Sequence, residues 1–145
     1  MSFWRNRRRR RGFTLIELMV VMVILVLLAG GVTFGVVKYV PKARRARAAS
    51  DIATLKQCLE AYHVDVGDYP TTEEGLLALI ERPGNVTGWN GPYTDKKEFI
   101  DPWGNPYVYI CPGRVNVDSF DLSSLGKDGR EGGEGENADI NSWEL

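Results

Sequence analysis

The sequence predicts an α+β chain in which one long N-terminal helix packs against a small antiparallel sheet. Two patterns carry this prediction. An uncharged run, Leu18–Val37, leads into a helical apolar stripe that continues to Val66, and Tyr107–Ile110 has the composition of a strand. The 145 residues allow one modest domain beside the N-terminal run.

The first twelve residues form a basic leader. They hold six arginines and no acidic residue, so that the rest of the chain carries 12 basic against 19 acidic side chains, a net charge of −7. Such a bias marks the cytoplasmic side of a membrane segment rather than a nucleic-acid patch. We therefore predict no nucleic-acid partner.

The uncharged run predicts a membrane-spanning helix over residues 13–40. At about 1.5 Å per residue, the twenty residues of the uncharged run Leu18–Val37 extend about 30 Å, the thickness of one hydrocarbon core. A cleaved secretory signal, a simple membrane anchor and a buried helix of a soluble domain are the alternatives. The run is long for a cleaved signal, and a buried soluble helix is rarely so uniformly apolar. A simple anchor leaves Glu17 unexplained, because a carboxylate in a membrane segment costs free energy and indicates a function.

The arginines are followed by a motif, Gly12-Phe13-Thr14-Leu15-Ile16-Glu17, that resembles the processing site of type IV pilins and pseudopilins. The resemblance implies that a prepilin peptidase cuts between Gly12 and Phe13 and that the new amine of Phe13 is methylated. Glu17 of a neighbouring subunit would neutralise that amine, because a matched pair of charges in lipid costs far less than two isolated ones. Phe13 and Glu17 are therefore predicted to direct subunit assembly.

The helix is predicted to continue from Ala43 to about residue 66. One side should face the core, and its members recur at three- and four-residue steps: Ala48, Ile52, Leu55, Cys58, Leu59 and Tyr62. Four basic residues precede this stripe and predict a solvated face near lipid headgroups: Lys42, Arg44, Arg45 and Arg47. The single histidine, His63, is predicted at the helix surface.

A turn at Gly67 and a second, short helix come next. Thr71 or Thr72 is predicted to cap this helix, with Glu74 as the partner in a capping box. Four apolar side chains are predicted to cover the long helix: Leu76, Leu77, Leu79 and Ile80.

After the strand at residues 107–110, a second strand is predicted over Val117–Leu122. Aromatic, turn-rich segments at residues 89–93 and 101–107 suit either a carbohydrate site or packing of a small core, and packing is favoured. Cys58 and Cys111 form either one disulfide or two buried thiols.

Two further segments, Gly67–Leu76 and Asp101–Tyr107, resemble motifs of the major pseudopilin of the type II secretion system. Together with the processing motif, they extend the resemblance over residues 10–143. The resemblance implies a type IV pilin-like fold, with a cleaved leader at residues 1–12 and a periplasmic domain at residues 41–145.

The segment at residues 123–140 is rich in oxygen ligands and glycines, which suits either a flexible acidic tail or a calcium loop. It is not an EF-hand, because Arg130 and Gly132 occupy ligand positions. Major pseudopilins of type II systems have a Leu-Gly-x-Asp-Gly loop that ends in Asp-Ile and folds around one calcium ion. The resemblance implies a structural calcium bound by the Leu125 carbonyl, Asp128, Asp139, Asn137 and Glu131.

The resemblance also implies a function. A major pseudopilin polymerises into the periplasmic pseudopilus of a type II secretion system and drives export of folded proteins across the outer membrane. The chain would cross the inner membrane once. Implied partners are other copies of the chain, minor pseudopilins, the inner-membrane platform protein with the assembly ATPase complex, the prepilin peptidase, the outer-membrane secretin and membrane lipid.

Three other functions compete with this prediction. A type IV pilin of a surface fibre is disfavoured because no cysteine follows Cys111 to close a C-terminal disulfide loop. A membrane-anchored enzyme is disfavoured because the chain has one histidine, no nucleophile elbow and no zinc-ligand spacing, so we predict no catalytic residue. An anchored calcium module that forms no polymer is the third, and it would tolerate loss of Glu17.

Overall fold

A computed structural model describes residues 12–145, without the side chains of residues 30–38. The chain divides into two compact units, Met1–Tyr39 and Val40–Leu145. The elements are helix α1 (Leu15–Val66), a 3₁₀ helix (Gly75–Leu79) and strands β1 (Val108–Ile110), β2 (Asp121–Ser124) and β3 (Ile140–Asn141). The predicted α+β class is confirmed, with one long helix and a three-stranded antiparallel sheet.

The apolar stripe of α1 forms the centre of the core, as predicted. Ile52, Leu55 and Leu59 are fully buried, and Tyr62 is 1% exposed. Burying one such side chain contributes about 1.5–3 kcal/mol, so this stripe is the main apolar support of the domain. The helix ends where predicted, because Gly67 adopts a φ of +97° and its amide donates a hydrogen bond to the His63 carbonyl.

The predicted capping box is present at Thr71. The amide of Glu74 donates to Thr71 Oγ1 (3.2 Å), and the amide of Thr71 donates to Glu74 Oε2 (2.8 Å). The helix that follows is of the 3₁₀ type, in which residues three apart share a side. Leu76 and Leu79 are therefore buried, whereas Leu77 is 60% exposed, and the prediction that Leu77 covers α1 is wrong.

The sheet has the order β1-β2-β3, and both pairs are antiparallel. Tyr109 lies opposite Leu122, and Ile140 lies opposite Ser124; all four side chains are buried. The hydroxyl of Tyr109 donates to the Pro70 carbonyl at 2.7 Å, which satisfies its polar end inside the core. Strand β3 was not predicted from the sequence.

The second strand begins later than predicted, at Asp121 instead of Val117. The reason is a turn built around the Asp121 carboxylate, which accepts hydrogen bonds from the backbone amides of Arg114 (2.6 Å), Val115 (2.8 Å) and Asn116 (3.0 Å). Burial alone would raise the pKa of Asp121, but these amides and the Asn116 side chain together lower the pKa below its ordinary value.

Replacing Asp121 with asparagine is expected to lower the free energy of unfolding at pH 7 by about 1–3 kcal/mol, because an amide cannot accept all these bonds as an anion does. The folded pKa is lowered, so the carboxylate stabilises the fold above its ordinary pKa and loses this effect as the pH falls through the folded value. The unfolding free energies of D121N and wild type should therefore begin to converge below about pH 4 and become equal only below the lowered folded pKa. Exposed Asp118 supplies a matched control, D118N, and an equal loss in both variants would contradict the prediction.

The aromatic segments pack against the core, which confirms the favoured prediction for them. The indole of Trp89 donates to the Ala78 carbonyl at 2.9 Å, and its ring meets Tyr93 edge-on at 5.8 Å. Tyr93 also meets Tyr62 edge-on at 5.6 Å. Cys58 and Cys111 are both free thiols, and burial raises the pKa of Cys58 despite the opposing effects of Thr94 and Lys96.

Candidate functional site

The N-terminal motif lies at the start of α1. The hydroxyl Oγ1 of Thr14 accepts the amide of Glu17 at 3.3 Å, and the Thr14 carbonyl accepts the amide of Leu18 at 3.2 Å. Thr14 is thus the N-cap, and the bond between Gly12 and Phe13 precedes the helix. Phe13 is 82% exposed, and Glu17 is also exposed.

The first turns of α1 present apolar side chains to the surroundings. All residues from 12 to 29 are exposed, including Leu15 at 80% and Ile16 at 70%. Contiguous apolar surface on this scale marks a segment that contacts lipid or protein. The predicted Phe13–Glu17 assembly pair lies at the beginning of this surface.

Within the described residues, no helix combines the length and hydropathy expected of a membrane span. The predicted span at residues 13–40 includes residues 30–38, whose side chains lie outside those that the structure describes. The leader arginines at positions 5 and 7–11 also lie outside the described residues.

The predicted calcium segment connects two strands. We call residues 125–139 the β2–β3 loop, since they run from the end of β2 to the start of β3. Its glycines all have positive φ angles, a backbone region that other residues adopt only with strain: Gly126, Gly129, Gly132, Gly133 and Gly135. The loop is also tightly wound, because a Cβ on Gly133 would lie 2.7 Å from the carbonyl oxygen of Asn137.

Three of the five predicted ligands line one cavity of about 220 Å³ beside the sheet: Leu125, Glu131 and Asp139. Asp139 Oδ2 accepts the amide of Gly132 at 2.9 Å, whereas its Oδ1 is buried without a hydrogen-bond partner. A buried carboxylate oxygen lacking a donor is costly, and a hard cation satisfies it. The unpartnered Asp139 Oδ1 is therefore the atom of this cavity lining that suits a calcium ion.

The other two predicted ligands are placed differently. Asp128 is exposed and its Oδ1 accepts the amide of Arg130 at 3.2 Å. The backbone amide of Asn137 donates a hydrogen bond to the Glu134 carbonyl at 3.1 Å, which closes a turn. Across the part of the chain that the structure describes, no three His, Cys, Asp or Glu side chains are grouped for a metal ion, so a cation here would need backbone carbonyls such as that of Leu125.

Sequence reasoning missed the residues that hold the β2–β3 loop from outside. Asp101 Oδ1 accepts the amide of Asn105 at 2.8 Å, and the Asn105 side chain donates to the Gly126 carbonyl at 2.7 Å. Arg45 Nη1 donates to the carbonyls of Gly135 (3.0 Å) and Ala138 (2.6 Å). The prediction of a uniformly solvated basic band is therefore wrong at Arg45, which is half-buried because it binds the loop.

Two protein-family models match the chain. The family model for type II secretion system (T2SS), protein G, matches residues 35–143. The chain belongs to this family. A second model, for the prokaryotic N-terminal methylation motif, matches residues 7–33 of the chain.

Relatives in the protein G family match along almost their whole length. Type II secretion system core protein G of Pseudomonas aeruginosa is 45% identical over 142 residues, covering 96% of this chain and 99% of the relative. The protein of the same name from Vibrio cholerae is 42% identical over 144 residues, covering 97% of both chains. The crystal structure of the major pseudopilin from enterohaemorrhagic Escherichia coli superposes with a TM-score of 0.60 at 34% identity, covering 72% of this chain and 90% of that one.

Membership of the protein G family confirms the resemblance to major pseudopilins and the type IV pilin-like fold. The family consists of structural pseudopilin subunits and is not a known enzyme family. Together with the methylation motif, it indicates a membrane-anchored periplasmic protein. It also implies assembly into a pilus-like polymer within the type II secretion machinery.

Proposed function

We infer that this chain is the major pseudopilin, the subunit that polymerises into the periplasmic pseudopilus of a type II secretion system. The pseudopilus drives export of folded proteins across the outer membrane. The observation that carries this inference is the protein G match through most of the domain, together with the shared fold of a major pseudopilin. Both favour this function over that of a type IV pilin.

Processing of the chain forms part of the proposal. Prepilin peptidase removes residues 1–12 by cutting between Gly12 and Phe13, and the new amine of Phe13 is methylated. Two features support this: the bond precedes the N-cap Thr14, and a Cβ at Gly12 would meet no atom within 4 Å. Residues 12–14 are thus exposed and lie outside the helix.

Residues 13–40 then form the single inner-membrane span and the polymerisation helix, and residues 41–145 form the periplasmic domain. The exposed apolar side chains of residues 12–29 support contact with lipid and with neighbouring subunits. Glu17 of one subunit pairs with the Phe13 amine of the next, and this pairing sets the register of the polymer.

The proposed partners follow from this role. The polymer contains further copies of the chain and minor pseudopilins. The inner-membrane platform protein and the assembly ATPase complex supply the force for assembly, the prepilin peptidase processes the subunit, and the outer-membrane secretin forms the exit.

A structural calcium ion completes the proposed domain. Asp139, Glu131 and the Leu125 carbonyl would hold it in the cavity, and Asp128 and Asn137 remain predicted ligands. Support comes from the unsatisfied Asp139 Oδ1 and from the wound glycine backbone around it. The ion supplies positive charge that offsets repulsion among the carboxylates of the β2–β3 loop.

A deletion strain tests the function directly. We expect loss of folded exoproteins from the culture medium, restored by the wild-type gene, while surface fibres and twitching remain. Lost fibres with normal secretion would instead identify a type IV pilin. Unchanged secretion and unchanged fibres would contradict both functions.

A further inference from the structure

The β2–β3 loop needs support from outside because its own sequence opposes order. Its five glycines lose more conformational freedom on folding than other residues do. Its five carboxylates face only two basic residues within the loop, Lys127 and Arg130. Lys127 is already paired with Glu136 at 3.3 Å.

Arg45 of α1 supplies such support at the far end of the loop. Its Nη1 donates to two carbonyl oxygens three residues apart, those of Gly135 and Ala138. Hydrogen bonds from a charged donor are stronger than neutral ones, and the bond to the Ala138 carbonyl is short at 2.6 Å. Arg45 is half-buried in making them, whereas its neighbour Arg44 is exposed.

These carbonyls adjoin the predicted metal ligand. Ala138 immediately precedes Asp139, so fixing the Ala138 carbonyl also fixes the peptide that orients the Asp139 carboxylate. Asp139 Oδ2 is held by the Gly132 amide, and Oδ1 is left for a cation. The Arg45 guanidinium and the Gly132 amide therefore both restrict the position of the Asp139 carboxylate.

We propose that Arg45 is a positioning residue for calcium: by holding the Gly135 and Ala138 carbonyls, it preorganises the β2–β3 loop for the ion. This inference rests on the proposed calcium site. Preorganisation raises apparent affinity because only the binding-competent fraction of the loop takes up ligand. Arg45 itself does not touch the ion.

The direction in which calcium affinity changes when Arg45 is replaced distinguishes a positioning contact from a simple effect of charge. A guanidinium near a cation site repels the ion, so removing the positive charge alone would strengthen calcium binding. Removing a positioning contact would weaken it. Arg44→Ala loses the same charge one position away without the two carbonyl contacts, and it is the matched control.

The test is calorimetric titration of the full-length protein in detergent with calcium chloride. We expect Arg45→Ala to weaken binding about tenfold, Arg45→Lys to fall between it and wild type, and Arg44→Ala to stay within about twofold of wild type. A second measurement uses Arg45→Lys without calcium, because this variant keeps a positive charge and should fold even if Arg45→Ala does not. In it, the backbone amides of Asn137 and Lys127 should exchange hydrogen faster than in wild type.

Three results would overturn the proposal. Wild-type affinity in both Arg45 variants would show that the contacts do not position the loop, and tighter binding would show that only the charge matters. If wild-type protein binds no calcium, the proposed calcium site is wrong, and so is the role of Arg45 in it. The secretion phenotype of the deletion strain is independent of all three and reports on the pseudopilin function alone.

Discussion

Replacing Asp139 with asparagine is expected to abolish the stabilisation of the domain by calcium. At a calcium concentration one hundred times the dissociation constant, binding contributes about 2.7 kcal/mol, and each kcal/mol shifts the melting temperature of a domain of roughly 100 residues by about 4–8 °C. Wild-type protein should therefore melt about 10–20 °C higher in calcium than in chelator, and D139N should melt alike in both. Asparagine keeps the shape of the side chain and an acceptor for the Gly132 amide, so the calcium-free fold should persist.

Thermal melts of the full-length protein in detergent, followed by circular dichroism, measure this difference. Glu134→Gln is the matched control, because it removes one exposed carboxylate from the same loop and should retain the calcium response. A wild-type melting curve that chelator leaves unchanged would rule out a structural ion. If D139N still melts at a higher temperature in calcium than in chelator, Asp139 is not a ligand of the ion.

Replacing Glu17 with alanine is expected to prevent assembly of the polymer. In the proposed polymer, the partner charge is the amine of Phe13 on the next subunit. Without Glu17, that amine would remain unpaired in lipid at a cost of several kcal/mol per subunit. Because the cost recurs at every subunit, crosslinked ladders from membranes should collapse to monomer, and secretion should fail. The isosteric change Glu17→Gln should give the same result, since it removes only the charge.

Glu81→Gln serves as the control, since Glu81 is an exposed carboxylate of the periplasmic domain. The mass of the mature chain should also be determined, so that failed processing is distinguished from failed assembly. Ladders of Glu17→Ala that match wild type would contradict the charge pair and favour an anchored calcium module without a polymer.

The elements that the sequence predicts well are those with a repeated local pattern. The stripe of α1 from Ala48 to Tyr62 is buried, and the capping box at Thr71 forms with its expected partner. Both depend on side chains that are three or four residues apart in the sequence. The family motifs were equally informative, because several occur together in the correct order.

The elements that were missed depend on backbone geometry and hydrogen bonds that a pattern of residue types does not show. Leu77 faces outward because its helix has three residues per turn, which the spacing of leucines alone does not reveal. Strand β2 starts late because Asp121 binds backbone amides several residues earlier. Strand β3 has two residues and no alternating pattern, so only its pairing with β2 defines it.

The candidate metal loop combines both cases. Its composition and family motif predict five ligands, and three of them line one cavity: Leu125, Glu131 and Asp139. The sequence predicts Arg45 as one member of a solvated basic face. Nothing in a run of basic residues on a helix shows which side chain will donate to backbone carbonyls of a distant loop. That distinction comes from the fold.

The contacts of Arg45 also bear on how the chain folds. Its two acceptors lie 90 and 93 residues further along the sequence, so the contact encloses nearly the whole domain. Closing so long a loop is entropically costly and depends on the intervening segments being in place. A nascent chain that has produced α1 but not its last residues lacks these acceptors altogether. The ordered loop is therefore a property of finished chains, and a truncated subunit cannot reproduce it.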